Sequence, residues 1–312
     1  MFELTIIFSS APIHGLAGND PDIDEMYNRF GPTARICFEL TKRKSHLNEH
    51  RYRFETALSS LSSKVLQGMV TGIFDIEESD ISLTILLLKR LPGDDFSLPT
   101  VEIISPTAEM AVWDQLKKER QNEPLYLYPS LATAERSKHL ACVVYGMLAQ
   151  NKLQRMSSIR LHLVPMVRRT PDGSGSRKKP PRWYSNHSAD NASSLTVMID
   201  IQRTGIEAFD PKVDPIKNNV YYTIYQAAVD SFITDGNRLF IFQFAVAREH
   251  DINKRILTFF SQASLPPRSN WYFVFVIPPD VSELSCPQGR DEMMKEFLEE
   301  IHLCSAVVSP WG

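Results

Sequence analysis

The sequence predicts a mixed α/β (α+β) protein, and three observations carry that prediction. Short apolar runs such as Trp271–Ile277 lie between Pro/Gly/Asn/Asp clusters, as strands do. Other stretches repeat apolar residues at helical spacing, as Phe54, Leu58, Leu61, Val65 and Leu66 do. From residue 218 onward the order reads β, β-turn-β, α, β, α, β, with central strands apolar throughout. That pattern calls for a mixed sheet covered on both faces by helices.

In chain order, Phe2–Phe8 reads as a strand, and Gly15–Pro21 as a polar loop. Asp22–Phe30 reads as a helix stopped by Gly31-Pro32, and Ala34–Leu40 as a strand. Glu49–Gly68 is expected to be one helix. Ile81–Leu91 and Pro99–Ile104 are expected strands around the turn Pro92-Gly93-Asp94-Asp95. Glu109–Arg120 and Ala134–Gln154 read as helices, and Ile159–Val167 as a strand. Arg168–Arg182 breaks the pattern: RRTPDGSGSRKKPPR has no apolar period and reads as a loop or linker. Beyond it, Leu195–Ile201 and Asn218–Gln226 read as strands. Asp230–Ile233 is a short strand that turns at Thr234-Asp235-Gly236-Asn237 into Arg238–Ala247. Asp251–Gln262 reads as a helix, Trp271–Ile277 as a strand, Asp291–Ile301 as a helix and Leu303–Val308 as a strand. The expected division is an N-terminal α/β region, 1–125, and a C-terminal domain, 126–312.

Composition narrows the function classes. The chain has 312 residues, 43% apolar and 23% charged, and a net charge of −3. That is ordinary globular composition without the basic surplus of a generic nucleic-acid binder, so any such surface must be local. Cys37, Cys142, Cys286 and Cys304 form no CxxC pair, which argues against zinc and for buried, reduced thiols. The N-terminus has no basic n-region, and no 18-residue apolar run occurs. The expectation is an intracellular protein, cytoplasmic or nuclear, with no membrane association. GxxxxGK[ST] and GxSxG are both absent, which removes P-loop nucleotide binding and the serine-hydrolase elbow.

The residues with chemical potential gather around one hairpin. Asp230 precedes the Asp-Gly turn, and Gln243 sits on the returning strand, two residues before Ala245. Alternation puts Phe240, Phe242, Phe244 and Val246 on one face, expected to be core, with Gln243 and Ala245 on the other. Asp230 and Gln243 are the candidate catalytic pair, Asp230 the candidate Mg²⁺ ligand, and Glu135 a further carboxylate. The plain structural alternative has Asp230 capping a turn and Gln243 serving a buried backbone group. Arg168, Arg169, Arg177, Lys178, Lys179 and Arg182 are candidate phosphate contacts, or else a solvated loop. His250 reads as a helix-start residue or a base. Asn186-His187, after Trp183-Tyr184, reads as a loop anchor or a binding surface.

Several stretches together carry a resemblance: Phe30–Cys37, Lys89–Gly93, Trp183–His187, Asp230–Ile233, Phe240–Phe244 and Trp271–Pro279. They resemble fungal, mainly basidiomycete, proteins of the Crinkler and retrotransposon-hot-spot group. The resemblance implies a restriction-endonuclease-like domain in the C-terminal part, with residues 1–40 like the tail of an ATPase whose P-loop lies upstream. It also implies effector-like roles and a nucleic-acid or protein partner. In restriction-endonuclease-like folds an Asp on one strand is followed by Glu/Asp-x-Lys on the next. Here the second triplet is Gln243-Phe244-Ala245. A degenerate nuclease-like protein is therefore expected. The alternatives are a non-enzymatic interaction module or a truncated effector remnant.

Overall fold

The computed structural model describes residues 21–71, 84–89, 100–116, 118–119, 123–133, 137–155, 158–169, 181–187, 194–200, 207–208, 214–222, 229–260, 264–289 and 291–309. The expected strand 2–8, the turn 92–95, Glu135, Arg177, Lys178 and Lys179 lie outside these residues. The protein is mixed α/β, and the chain forms two compact units, Met1–Val144 and Tyr145–Gly312.

The first unit is mostly helical: α1 (Pro21–Phe30), α2 (Ala34–Lys42), α3 (Lys44–Ser59), α4 (Ser63–Thr71), α5 (Pro106–Leu116) and α6 (Glu123–Thr133), with β1 (Leu86–Lys89) paired antiparallel to β2 (Thr100–Ile103). Gly31 ends α1. Its φ of +83° is left-handed, its N–H reaches the Tyr27 carbonyl at 2.8 Å, and a Cβ there would lie 2.3 Å from the Ile104 oxygen. Residues 34–40, expected as a strand, are helix instead. Cys37, Phe38 and Leu40 pack with Ile23, Met26 and Phe30 of α1. Such a short apolar run fits either period, and packing chose the helix.

The expected single helix over 49–68 is two, separated at Ser60–Ser62. The hydroxyls of Ser59 and Ser60 both bond back to the Thr56 carbonyl and compete with the helix ladder. The new N-terminus is held by Glu119, whose carboxylate accepts from the Ser63 N–H at 2.7 Å and its hydroxyl at 2.5 Å. A carboxylate there also favours the positive end of the α4 dipole. The boundary between units falls inside α7 (Lys138–Arg155), later than the expected 125/126. Helix α6, which the sequence reading did not find, stays with the first unit: Gln67 Nε2 donates to Ser130 Oγ at 2.9 Å.

The second unit is built on an eight-stranded mixed sheet in the order β6-β3-β13-β11-β10-β9-β8-β7. Its strands are β3 (Ser158–Pro165), β6 (Leu195–Asp200), β7 (Glu207–Ala208), β8 (Val220–Tyr222), β9 (Ser231–Asp235), β10 (Arg238–Phe244), β11 (Trp271–Ile277) and β13 (His302–Val307). The segment β8–β9–β10 is an antiparallel meander, and β10, β11 and β13 then run parallel. Gly236, with φ +59°, makes the β9–β10 turn, and Asp235 and Arg238 flank it as an ion pair. A smaller sheet, β12-β5-β4, joins β4 (Val167–Arg169), β5 (Arg182–Asn186) and β12 (Glu283–Pro287). The segment expected as a linker, 168–182, therefore connects two paired strands of one unit, in register Arg168↔Trp183 and Arg169↔Arg182.

Both faces of β10 are buried. Phe240 stacks on Tyr272, and Phe244 meets Tyr145 of α7 edge-on; Gly146 leaves room there, since a Cβ would sit 3.2 Å from the Phe244 Cβ. The other face, Leu239, Ile241 and Ala245, shares one cluster with Phe273, Phe275 and Ile277 of β11 and with Met294, Phe297 and Leu298 of α9. Helix α9 (Glu292–Glu300) is capped by Asp291, which accepts from the Met294 N–H at 2.9 Å. The expected helix 251–262 shrinks to α8 (Ile256–Phe259). The residues just before it pair with β12: His250 N–H donates to the Ser285 carbonyl, and Ser285 N–H donates to the Arg248 carbonyl.

Candidate functional site

The polar side chains of the second unit collect at the carboxyl ends of β10, β11 and β13. Gln243 is the register partner of Phe275, and Phe275 of Ser305. Partners in parallel strands point to the same face, so these three residues form one row across the sheet. Gln243 is 8% exposed and Ser305 0%. Two histidines lie on the row. His187, just after β5, shares a 2.8 Å hydrogen bond between its Nε2 and Ser305 Oγ. His250 stacks over Phe275 at 5.8 Å. Burial pulls both imidazoles below the ordinary histidine range. For His187 the His162 charge adds to that; for His250 a bond to the Phe244 backbone and the Asp251 charge work against it.

Asp230 does not simply continue the ladder. Phe242 is the register partner of Ser231, yet the Asp230 N–H also donates to the Phe242 carbonyl, at 3.2 Å. Two residues of one strand thus oppose one of the other, which is the pattern of a β-bulge. Strand alternation alone therefore does not bring Asp230 to the face of Gln243, where the sequence reading had the two meet. The Asp230 carboxylate turns onto β10 and accepts from the Phe244 N–H at 2.7 Å. Crowding by protein pushes this carboxyl up to about 6, and the Phe244 bond pulls the other way. The side chain is nonetheless exposed, so water offsets part of that rise.

Ala245 is fully buried, and its N–H donates to the Val276 carbonyl. The donor set around the hairpin fits Mg²⁺ poorly. Asp230 offers one carboxylate with an oxygen already engaged, and Gln243 offers a neutral, buried oxygen. No group of three His, Cys, Asp or Glu is placed to hold a metal among the described residues. The cysteines Cys37, Cys286 and Cys304 are buried free thiols, pushed up by desolvation to about 11, 12 and 12, which keeps them protonated and poor nucleophiles.

The basic segment divides. Arg168 pairs with Glu299 at 2.7 Å, and Arg182 pairs with Glu249 at 3.1 Å and donates to Ser285 Oγ at 3.2 Å. Arg169 is exposed on β4. Sequence reasoning read His250 as a helix-start residue or a base and His187 as a loop anchor or binding surface, and missed Ser305 altogether. Ser305 lies 118 residues from His187, and no local pattern links them.

No helix among the described residues is long and apolar enough to cross a membrane. Comparison of the chain with family models, curated proteins and solved structures finds no match.

Proposed function

We propose that the second unit is a degenerate restriction-endonuclease-like module of the Crinkler type that binds nucleic acid without cutting it. The observation that carries this reading is the end of the β9–β10 hairpin. There Asp230 is bound to the Phe244 N–H, between Gln243 and Ala245. The surrounding order supports it as well: an antiparallel meander, a short helix and a parallel strand. One engaged carboxylate beside a neutral amide and an alanine is a weak cradle for a catalytic divalent ion. Nucleic-acid contact falls to Arg169, at the end of β4, and to Arg177, Lys178 and Lys179 in the segment that follows it toward β5.

The test incubates the chain with DNA and RNA in Mg²⁺ or Mn²⁺, beside Asp230→Ala. Equal background in both is expected, and cleavage lost on substitution would overturn the degenerate reading. Binding should weaken with salt. Arg177, Lys178 and Lys179 changed together to Ala should reduce the log–log salt slope by about 2–3. An unchanged slope would remove the segment from the account.

A protein-binding role has one observation in its favour. Leu195 and Met198 of β6, the end strand of its sheet among the described residues, are each 47% exposed, and sheet edges accept strands.

A further inference from the structure

The chain has a net charge of −3, yet its residues 42–53 hold the cations Lys42, Arg43, Lys44, Arg51 and Arg53 against one carboxylate, Glu49. This stretch covers the end of α2 and the first half of α3. Successive helix residues turn by about 100°, so Leu47, His50, Phe54, Ala57 and Leu58 fall on one side of α3. All five are buried or half-buried. His50 meets the Phe30 ring edge-on at 4.7 Å, and Leu47 packs on the cluster formed by α1 and α2. The opposite side of α3 is exposed. Tyr52 stands at the middle of that side, 70% exposed, with Arg51 and Arg53 turned to its two flanks.

These cations do not serve the helix. Arg43 precedes its first turn, where a cation cannot accept from the free N–H groups, and that turn holds no acid. Positive charge at this end opposes the helix dipole and costs stability. Arg53 is engaged by Glu49 at 2.6 Å, an exposed i,i+4 pair of little energy. Lys42, Arg43 and Arg51 are exposed and stand in no ion pair among the described residues. Arg43 and Arg51 are eight positions apart, about 12 Å along the axis, a span that suits an extended ligand rather than a free anion. Tyr126 of α6 gives the contrast. It is as open, 72% exposed, but its helix contains no Lys or Arg.

We infer that the exposed side of α3, with Lys42 and Arg43 before it, binds single-stranded nucleic acid, stacking a base on Tyr52 and holding phosphates with Lys42, Arg43 and Arg51. The partner's chemistry follows from the pattern. Cations spread along a helix match a polyanion, and an aromatic ring among them matches the flat face of an unpaired base. A duplex keeps those faces stacked on one another. An acidic peptide matches the charge and brings no flat face. A membrane surface calls for apolar residues beside the cations, and the exposed side of α3 offers Asn48, Glu55 and Thr56 instead. The inference concerns the first unit alone. It does not rest on the nuclease-like reading, in which Arg177, Lys178 and Lys179 of the second unit make the contact.

The experiment titrates labelled oligouridylate and oligothymidylate with the full chain over a range of salt, read by fluorescence anisotropy. Tyr52→Ala should weaken single-strand binding about tenfold and duplex binding far less. Tyr52→Trp should keep the parent affinity, and so should Tyr126→Ala. Lys42, Arg43 and Arg51 changed together to Ala should lower the single-strand salt slope by about 2. All these side chains are exposed, so far-UV circular dichroism should stay that of the parent. Parent affinity in Tyr52→Ala overturns the proposal, as does an unchanged slope in the triple variant. Binding of polyglutamate or phosphatidylserine vesicles in place of the oligonucleotides overturns it too. Should a variant unfold, photocrosslinking of iodouridine oligonucleotide to the parent chain decides. An adduct on Tyr52 supports the surface, and adducts confined to other segments overturn it. The variant with Arg177, Lys178 and Lys179 changed to Ala separates the two readings. If it alone loses single-strand binding, this proposal falls and the basic segment stands; if only the α3 variants lose it, the reverse holds.

Discussion

The two faces of β10 are equally buried and differently built. On one, Phe240, Phe242 and Phe244 present only rings, matched by Tyr272, Val274 and Val276 of β11. On the other, Gln243 stands between Ile241 and Ala245 with its oxygen unpaired, beside Phe275 and Ser305. A face that served only stability would gain from an apolar residue at 243, since an unpaired buried acceptor costs about 1–3 kcal/mol. The difference teaches that the phenylalanine face holds the unit together, while the glutamine face keeps polar groups at a cost in stability.

The sharpest way to break this comparison is Phe242→Ala. Phe242 is 1% exposed, and its loss should lower the unfolding free energy by about 3–5 kcal/mol in urea titration. A cost near zero would mean that the phenylalanine face is not the load carrier. A smaller effect of opposite sign is expected for Gln243→Met, which removes the orphan oxygen at similar volume. Chemical denaturation should show the variant about 1 kcal/mol more stable than the parent chain. Destabilisation there would show that Gln243 is paired in solution and would erase the contrast.

The smallest effect concerns pH. The Asp230 carboxyl is raised in the folded chain from 3.8 toward about 6, chiefly by desolvation. The folded state therefore holds this proton more tightly than the unfolded chain. An acid raised on folding contributes stability at low pH that is lost as pH climbs through that interval. Asp230→Asn should flatten the pH dependence of Tm there and leave it unchanged above. An identical profile in both proteins would place Asp230 fully in solvent.

Much of the second unit was legible beforehand. Trp271–Ile277 was read with the bounds that β11 has, because seven apolar residues closed by two prolines fit little else. The β9–β10 hairpin followed from Asp235-Gly236, where the chain needs a positive φ. The first unit was harder. Ala34–Leu40 suits either period, and only contact with α1 made it a helix. Strands β5 and β12 escaped because each is short and gains its ladder from a partner about a hundred residues away, in register Glu283↔Asn186. The candidate site was legible in its residues and not in its geometry. Asp230 and Gln243 were read as a pair on one hairpin, but the bulge at Asp230 depends on a hydrogen bond to Phe242 that no spacing rule predicts.

The sequence by itself determined the α/β class, the apolar core strands, the turn at Gly236 and the alanine at 245. These depend on local periodicity and backbone preference, which each segment carries alone. The tertiary structure decided that both faces of β10 are buried, that residues 168–182 join two strands of one sheet, and that His187 reaches Ser305. Those outcomes need segments distant in the chain to meet, and their energies come from burial and pairing that exist only after they have met.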